Sequence, residues 1–100
     1  MKEIIKIINE KAVESSLGWR IDILSIDSFQ YLEQGKTIEF EIEDNADERG
    51  EIHWIIYLPA IWRWKGIRND EPIAPERIPE IVNRISFAFW KLDMNIKEIL

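Results

Sequence analysis

The stretch from Thr37 to Glu43 alternates strictly between polar and apolar residues, with an acid at every polar position after Thr37, and this alternation restricts the fold more than any other feature of the sequence. In an extended strand, successive side chains point to opposite faces of the sheet. The pattern therefore predicts a sheet with one buried face and one face lined by three carboxylates in solvent. The buried set is Ile38, Phe40 and Ile42, and the solvent-facing set is Glu39, Glu41 and Glu43.

Three further segments are predicted to be strands of the same sheet. Residues 19–23 and 29–31 each alternate with a period of two and are separated by a polar break. Gln34 and Gly35 then predict a tight hairpin. The nearly continuous apolar run 52–58 predicts a central strand that is covered on both faces.

Two segments have helical spacing. Isoleucine and alanine recur at helical intervals before Gly18, so residues 2–16 are predicted to form a helix. The β-branched residues in this segment also suit a strand, which stays open as the alternative. An apolar stripe over 76–92 predicts a second helix, with Pro75 near its first turn. Residues 96–100 fit either a short final strand or a helical end.

The expected fold class is therefore α+β, an antiparallel sheet of three to five strands with an N-terminal helix and a long C-terminal helix packed on one face. A chain of 100 residues has room for one core, so residues 1–100 are predicted to be a single domain. Residues 1–18 are expected to be a helical extension of a core domain spanning 19–100. The glycine- and proline-containing segment 60–75 is expected to be an irregular connection.

The negative charge is concentrated in one segment. Residues 39–51 contain seven acids and one base, whereas the other residues contain 12 of each, so the segment accounts for the whole net charge of −6. Such a surface repels nucleic acid and attracts a basic protein. The simpler alternative is a solvated hairpin kept soluble by its charge.

No pattern of catalytic or metal-binding residues is recognisable. His53 is the only histidine, and it has no nucleophile or further ligands at a characteristic spacing. Residues 44–51 resemble a calcium loop only superficially, because Ala46 occupies a position that needs an oxygen ligand. The alternating glutamates lie along an exposed strand with no sign of a cleft. We therefore predict no enzyme activity, no cofactor and no metal.

The chain has no cysteine, so neither disulfides nor a thiolate metal site is indicated. Residues 1–8 lack the continuous apolar stretch of a signal peptide, and no segment has the length of a membrane span. A cytoplasmic protein with no membrane association is expected.

Five tryptophans are candidates for core or contact positions. Trp19 and Trp54 fall on predicted inward faces, and Trp62 is predicted to plug the edge of the core. Trp64 is left open between core and surface. An exposed Trp64 beside the acidic strand would suit a protein contact, because tryptophan is a favoured anchor of interfaces.

Four segments of the sequence resemble small α+β immunity proteins of bacterial polymorphic toxin systems. The segments are 31–33 (YLE), 37–41 (TIEFE), 56–62 (IYLPAIW) and the helix 77–89 with Ile78, Ile81, Arg84 and Ile85. The resemblance covers about residues 19–100. It implies a cytoplasmic protein that neutralises a cognate toxin by direct binding, without catalysis or a cofactor.

The predicted function is therefore that of a binding protein, an immunity protein whose partner is a basic toxin. The predicted steering residues are Glu39, Glu41, Glu43, Asp47 and Glu48, and the predicted anchors are Tyr31 and Trp64. One alternative is a structural or regulatory homo-oligomer, such as a homodimer formed through a sheet edge. Another is a small enzyme with a cryptic carboxylate site.

Overall fold

The computed structural model describes residues 2–65 and 71–100. Most of these residues are in strands, and one α-helix follows late in the chain. The strands are β1 (Ile5–Asn9), β2 (Ala12–Ser15), β3 (Trp19–Ser25), β4 (Ser28–Glu33), β5 (Lys36–Ala46), β6 (Ile52–Tyr57), β7 (Arg63–Trp64), β8 (Glu71–Pro72) and β9 (Asn95–Ile99). A 3-10 turn, Pro75–Arg77, leads into the helix α1 (Ile78–Lys91).

Seven strands form one mixed sheet in the order β1-β2-β3-β4-β5-β6-β9. The first six follow one another as an antiparallel meander. After β6 the chain forms the short β7–β8 ribbon and α1, and it then returns as β9 parallel to β6. The two edges of the sheet are therefore β1 and β9. No described helix has the length and apolar character that crossing a membrane requires.

The core lies between α1 and one face of the sheet. The register places Phe29 opposite Phe40, and these two rings stack with centroids 4.8 Å apart. Phe89 of α1 meets Phe29 edge-on at 5.1 Å. The buried residues of α1 are Ile81, Ile85, Ala88 and Phe89. We call the face under α1 the inner face and the opposite face the outer face.

The predicted fold class is wrong in its N-terminal helix and in its small antiparallel sheet. Residues 2–16 contain the β1–β2 hairpin, which adds two strands to the sheet. Isoleucines at adjacent positions satisfy a helical stripe and a strand equally well, and pairing with β3 decides between them. The parallel strand β9 makes the sheet mixed and brings it to seven strands.

The later elements follow the sequence more closely. The helix predicted over 76–92 corresponds to the 3-10 turn and α1. Strand β6 is not covered on both faces, because α1 packs on the inner face alone and Ile55 on the outer face is half-buried. Residues 60–75 were expected to be irregular, yet Arg63–Trp64 and Glu71–Pro72 pair as a ribbon. Positions 66–70 of that segment lie outside the described residues.

Candidate protein-binding surface

The outer face of β5 carries a row of three exposed glutamates. The strand extends over eleven residues, and its exposed and buried positions alternate from Ile38 to Glu43 as the sequence predicts. Because α1 occupies the inner face, Glu39, Glu41 and Glu43 project into solvent from a rigid, central part of the sheet. The strands β4 and β6 hold β5 on its two sides.

Tyr57 of β6 completes this surface. Its hydroxyl donates a 2.5 Å hydrogen bond to Oε2 of Glu43, and its backbone lies opposite Glu41 in the register. The hydrogen bond to Glu43 is the main reason why the pKa of the Tyr57 hydroxyl is raised, and the nearby charges of Glu98 and Glu41 contribute. Glu98 comes from β9, so two strands, β5 and β9, contribute acidic groups around a tyrosine of β6.

We call this set, formed by Glu39, Glu41, Glu43, Tyr57 and Glu98, the acidic face. Part of it lines a shallow hollow of about 580 Å³ that also includes Asp27 and Ser28. Among the side chains of residues 2–65 and 71–100, no base forms an ion pair with any of its four glutamates. Within the described residues, no ion pair therefore offsets the negative charge of this face.

Asp47 and Glu48 lie at the exposed turn between β5 and β6. Asp47 organises this turn, because its Oδ1 accepts the backbone N–H groups of Arg49 (2.8 Å) and Glu51 (3.0 Å). Its Oδ2 lies 3.1 Å from Nε2 of His53. The contact with His53 is the largest cause of the lowered pKa of the Asp47 carboxyl.

Two residues of this turn and one of the adjoining strand β6 form a group with metal-ligand chemistry. Asp47, Glu51 and His53 offer three ligand atoms that all lie within 4.8 Å of one another. A metal would have to compete with the hydrogen bonds by which Asp47 already holds the turn, and Asp47 and Glu51 are both exposed. The hairpin geometry accounts for this cluster without a metal.

Tyr31 and Trp64 are not on the surface, which corrects their expected role as exposed anchors. Tyr31 is fully buried and Trp64 is only 6% exposed. The Tyr31 ring stacks between Trp19 (centroids 6.2 Å apart) and Trp64 (5.9 Å). These three rings extend the core along the inner face, and Arg84 of α1 contacts two of them, Trp19 and Tyr31. Trp62 is half-buried and meets Phe40 edge-on at 5.5 Å, as expected for a residue at the core edge.

A polar cluster that the sequence did not reveal connects the sheet to α1. Glu33 at the end of β4 accepts two hydrogen bonds from Arg77 (2.9 and 2.6 Å) and one from Arg84 (3.1 Å). The Tyr31 hydroxyl donates a further bond of 2.8 Å to Glu33, and the guanidinium of Arg84 lies 5.5 Å from the Trp19 ring centroid. The only signal in the sequence was the occurrence of Glu33 and Arg84 in the segments that carry the resemblance. The pKa of the Glu33 carboxyl is lowered, chiefly by its hydrogen bonds from Arg77. A carboxylate engaged in this way acts as a structural acceptor.

Comparison with models of known protein families, with curated proteins and with solved structures finds no match.

Proposed function

We propose that this chain is a protein-binding protein of the immunity type, which neutralises a basic partner by occluding it with the acidic face. The observation that supports the proposal most strongly is the row formed by Glu39, Glu41 and Glu43, exposed and without ion pairs among the described residues. A cytoplasmic location belongs to the same proposal.

The mechanism follows from the position of these charges. Carboxylates that project in one direction from a rigid sheet attract a basic surface over a distance of about one Debye length, roughly 8 Å at physiological ionic strength. Once contact is made, a carboxylate occupies a position where a basic active site would bind a phosphate group. Because the sheet fixes the backbone of the row, the conformational entropy lost at these positions on binding is that of the glutamate side chains alone.

Tyr57 replaces Tyr31 and Trp64 as the aromatic residue of the contact. It is half-buried at the centre of the acidic face, and its hydroxyl is held by Glu43. Tyrosine combines a large rigid ring with a polar tip, and for this reason it is enriched among the residues that dominate binding energies.

The experiment that tests the proposal compares two doubly neutralised variants. The tagged chain is first used to capture partners from a lysate of its source organism. Each captured partner is then purified, and its association and dissociation rates are measured. E39Q/E41Q removes two charges from the acidic face, and E76Q/D93N removes two exposed charges that form no ion pair within the described residues. We expect E39Q/E41Q to slow association with a basic partner about tenfold at low salt, with little change in the dissociation rate.

The control E76Q/D93N should associate at the rate of the original chain. The partner should also inhibit growth when it is expressed alone in a bacterial host, and co-expression of the original chain should restore growth. Equal association rates for the two variants, or a partner that is harmless when expressed alone, would contradict the proposed function.

A second candidate function, that of a structural or regulatory homo-oligomer, is favoured by one specific observation. The edge strand β1 exposes isoleucines and free backbone groups, and a second copy of the chain would cover both.

A further inference from the structure

The acidic face contains a hollow in which its carboxylates converge. The hollow has a volume of about 580 Å³ and opens between the beginning of β4, the middle of β5 and the end of β6. The register places Ser28, Glu41 and Tyr57 side by side across these three strands. Glu41 therefore lies at the centre of the hollow, with Tyr57 on one side of it and Ser28 on the other. The acids that line the hollow are Asp27, Glu39, Glu41 and Glu43.

These carboxylates differ in how far the chain itself satisfies them. Oδ1 of Asp27 accepts a hydrogen bond of 2.7 Å from the hydroxyl of a nearby serine, and Oε2 of Glu43 accepts the Tyr57 hydroxyl. Glu39 and Glu41 have neither a hydrogen-bond donor nor a base as a partner of their side chains in residues 2–65 and 71–100. An ionised carboxylate accepts hydrogen bonds at about four lone-pair positions. The hollow therefore offers a ligand two free carboxylates beside two that the chain already holds in place.

This arrangement selects an organic cation as the ligand. Four carboxylates repel phosphates and other anions. Their oxygens are also too dispersed for three of them to surround one metal ion. In the described part of the chain, three ligand atoms within 4.8 Å of one another occur at Asp47, Glu51 and His53 but not in the hollow. A cation that spans several ångströms and carries several donors fits this distribution of acceptors.

The Tyr57 ring supplies the second feature of the hollow. Its hydroxyl is held by Glu43 at 2.5 Å, so the ring has a defined place beside Glu41. An aromatic ring attracts a cation that lies over its face within about 6 Å of its centroid. The guanidinium group of arginine is planar, stacks on such a ring and presents several donors, whereas the ammonium group of lysine is compact and strongly hydrated. A free carboxylate beside a fixed ring therefore favours arginine.

We propose that this hollow receives an arginine side chain of the basic partner, with the guanidinium group over the ring of Tyr57 and hydrogen-bonded to Glu41. The inference rests on the proposed function and adds the type of residue by which the partner is recognised. The charges of Glu39 and Glu43 attract any basic side chain, because charge alone does not distinguish arginine from lysine. Bidentate hydrogen bonds and stacking at the hollow do distinguish them.

Two short peptides test this preference on the chain by itself. One is Arg-Gly-Arg-Gly-Arg and the other is Lys-Gly-Lys-Gly-Lys, and both are acetylated and amidated so that their charges are equal. Alternate residues of an extended peptide are about 7 Å apart, which is also the spacing of the β5 glutamates. Isothermal titration calorimetry at low salt should show that the original chain binds the arginine peptide about fivefold more tightly than the lysine peptide.

Substitutions at Tyr57 test the contribution of the ring. Tyr57→Leu keeps an apolar side chain but removes the ring, so this variant should bind the two peptides with equal affinity. Tyr57→Phe keeps the ring and should therefore restore the preference for arginine. Because Tyr57 is half-buried on the outer face and lies outside the core, we expect both variants to fold, which circular dichroism checks.

Two charge variants give a test that does not depend on Tyr57. Glu41→Gln and Glu98→Gln each remove one charge from the acidic face, but of these two glutamates only Glu41 lines the hollow. Glu41→Gln should reduce the preference for arginine to less than about twofold, because the guanidinium group loses its charged acceptor. Glu98→Gln should weaken both peptides alike and leave the preference in place.

Three results would overturn the inference. They are equal affinities of the original chain for the two peptides, a preference for arginine that persists in folded Tyr57→Leu, and equal preferences in Glu41→Gln and Glu98→Gln. If Tyr57→Leu fails to fold, the comparison of the two charge variants decides the question by itself.

These outcomes are separate from those of the proposed function. A captured partner that is harmless when expressed alone contradicts the proposed function and leaves a measured preference for arginine intact. A toxin that the chain neutralises, together with equal affinities for the two peptides, contradicts only the arginine hollow.

Discussion

Glu33 accepts hydrogen bonds from Arg77, Arg84 and Tyr31, and so it joins the end of β4 to the helix that covers the sheet. Its side chain is only 15% exposed. Burial is the largest cause of the raised pKa of the Tyr31 hydroxyl, which therefore stays protonated as a donor to Glu33. A carboxylate with three donors around it is costly to replace, because the donors lose their acceptor while they remain partly desolvated.

Replacing Glu33 with glutamine should lower the free energy of unfolding by about 1–3 kcal/mol at neutral pH. The pKa of the Glu33 carboxyl is lower in the folded chain than its ordinary value of 4.5. Its contribution is therefore fully present above that ordinary value and is lost as the pH falls through the folded pKa. The stability difference between the original chain and Glu33→Gln should narrow at acidic pH in urea titrations.

The matched control is Glu71→Gln. Glu71 pairs with Lys36 at 2.7 Å on the surface, where the Glu71 side chain is 56% exposed. Exposed ion pairs contribute little, so this variant should stay close to the original chain at every pH. A stability difference for Glu33→Gln that does not change with pH would mean that the charge of Glu33 is unimportant and that only its shape matters.

The crossover between β6 and α1 closes one end of the core with a two-residue strand. Thr37 and Lys65 exchange backbone hydrogen bonds of 3.1 and 2.7 Å, and this bridge directs Trp64 onto Tyr31. The position of Trp64 therefore depends on a contact between parts of the chain that are far apart in sequence.

Trp64→Ala should cost about 3–5 kcal/mol of stability, the amount typical of deleting a buried aromatic side chain. Ile61→Ala, in the same connection but on the surface, should change stability by less than about 0.5 kcal/mol. Guanidinium denaturation followed by circular dichroism measures both. A Trp64→Ala variant as stable as Ile61→Ala would contradict the buried position of Trp64.

These elements also explain which parts of the fold could be predicted from the sequence. Strand β5 was predictable, because one face is buried and the other solvated, and the alternation from Ile38 to Glu43 records that difference. Strand β1 was not, because four of its five residues are exposed and its isoleucines lie on both faces. A strand that has no buried face shows no regular alternation of apolar and polar residues in its sequence.

The candidate site divides in the same way. The glutamates of β5 were predictable from the alternation alone, whereas Tyr57 and Glu98 join them only through the pairing of β6 with β5 and with β9. Parallel pairing between β6 and β9 brings together residues about forty positions apart, and no local pattern records such a contact. The sequence predicts Tyr31 as a surface anchor because the alternation in β4 assigns its side chain to one face of the sheet. The alternation does not show that α1 and Trp64 cover that face.

At the scale of the whole molecule, charge and apolar surface are segregated between the two faces of the sheet. The inner face carries the core, and the outer face carries glutamates that have no ion-pair partner among the described residues. Glutamates two positions apart on one strand are separated by about 7 Å, a distance at which like charges repel. Clustered like charges destabilise the folded state through this repulsion.

This repulsion predicts how stability depends on salt. Between about 0.01 M and 0.15 M salt the Debye length falls from about 30 Å to 8 Å, so screening should raise the melting temperature of the original chain by a few degrees. E39Q/E41Q should already have the higher melting temperature at low salt and should respond less to added salt. E76Q/D93N removes the same charge from isolated positions and should retain the original salt response.

Melting curves by circular dichroism at a series of NaCl concentrations distinguish the two variants. If both lose the salt response equally, the repulsion comes from the net charge of −6 as a whole, and the acidic face has no special electrostatic cost.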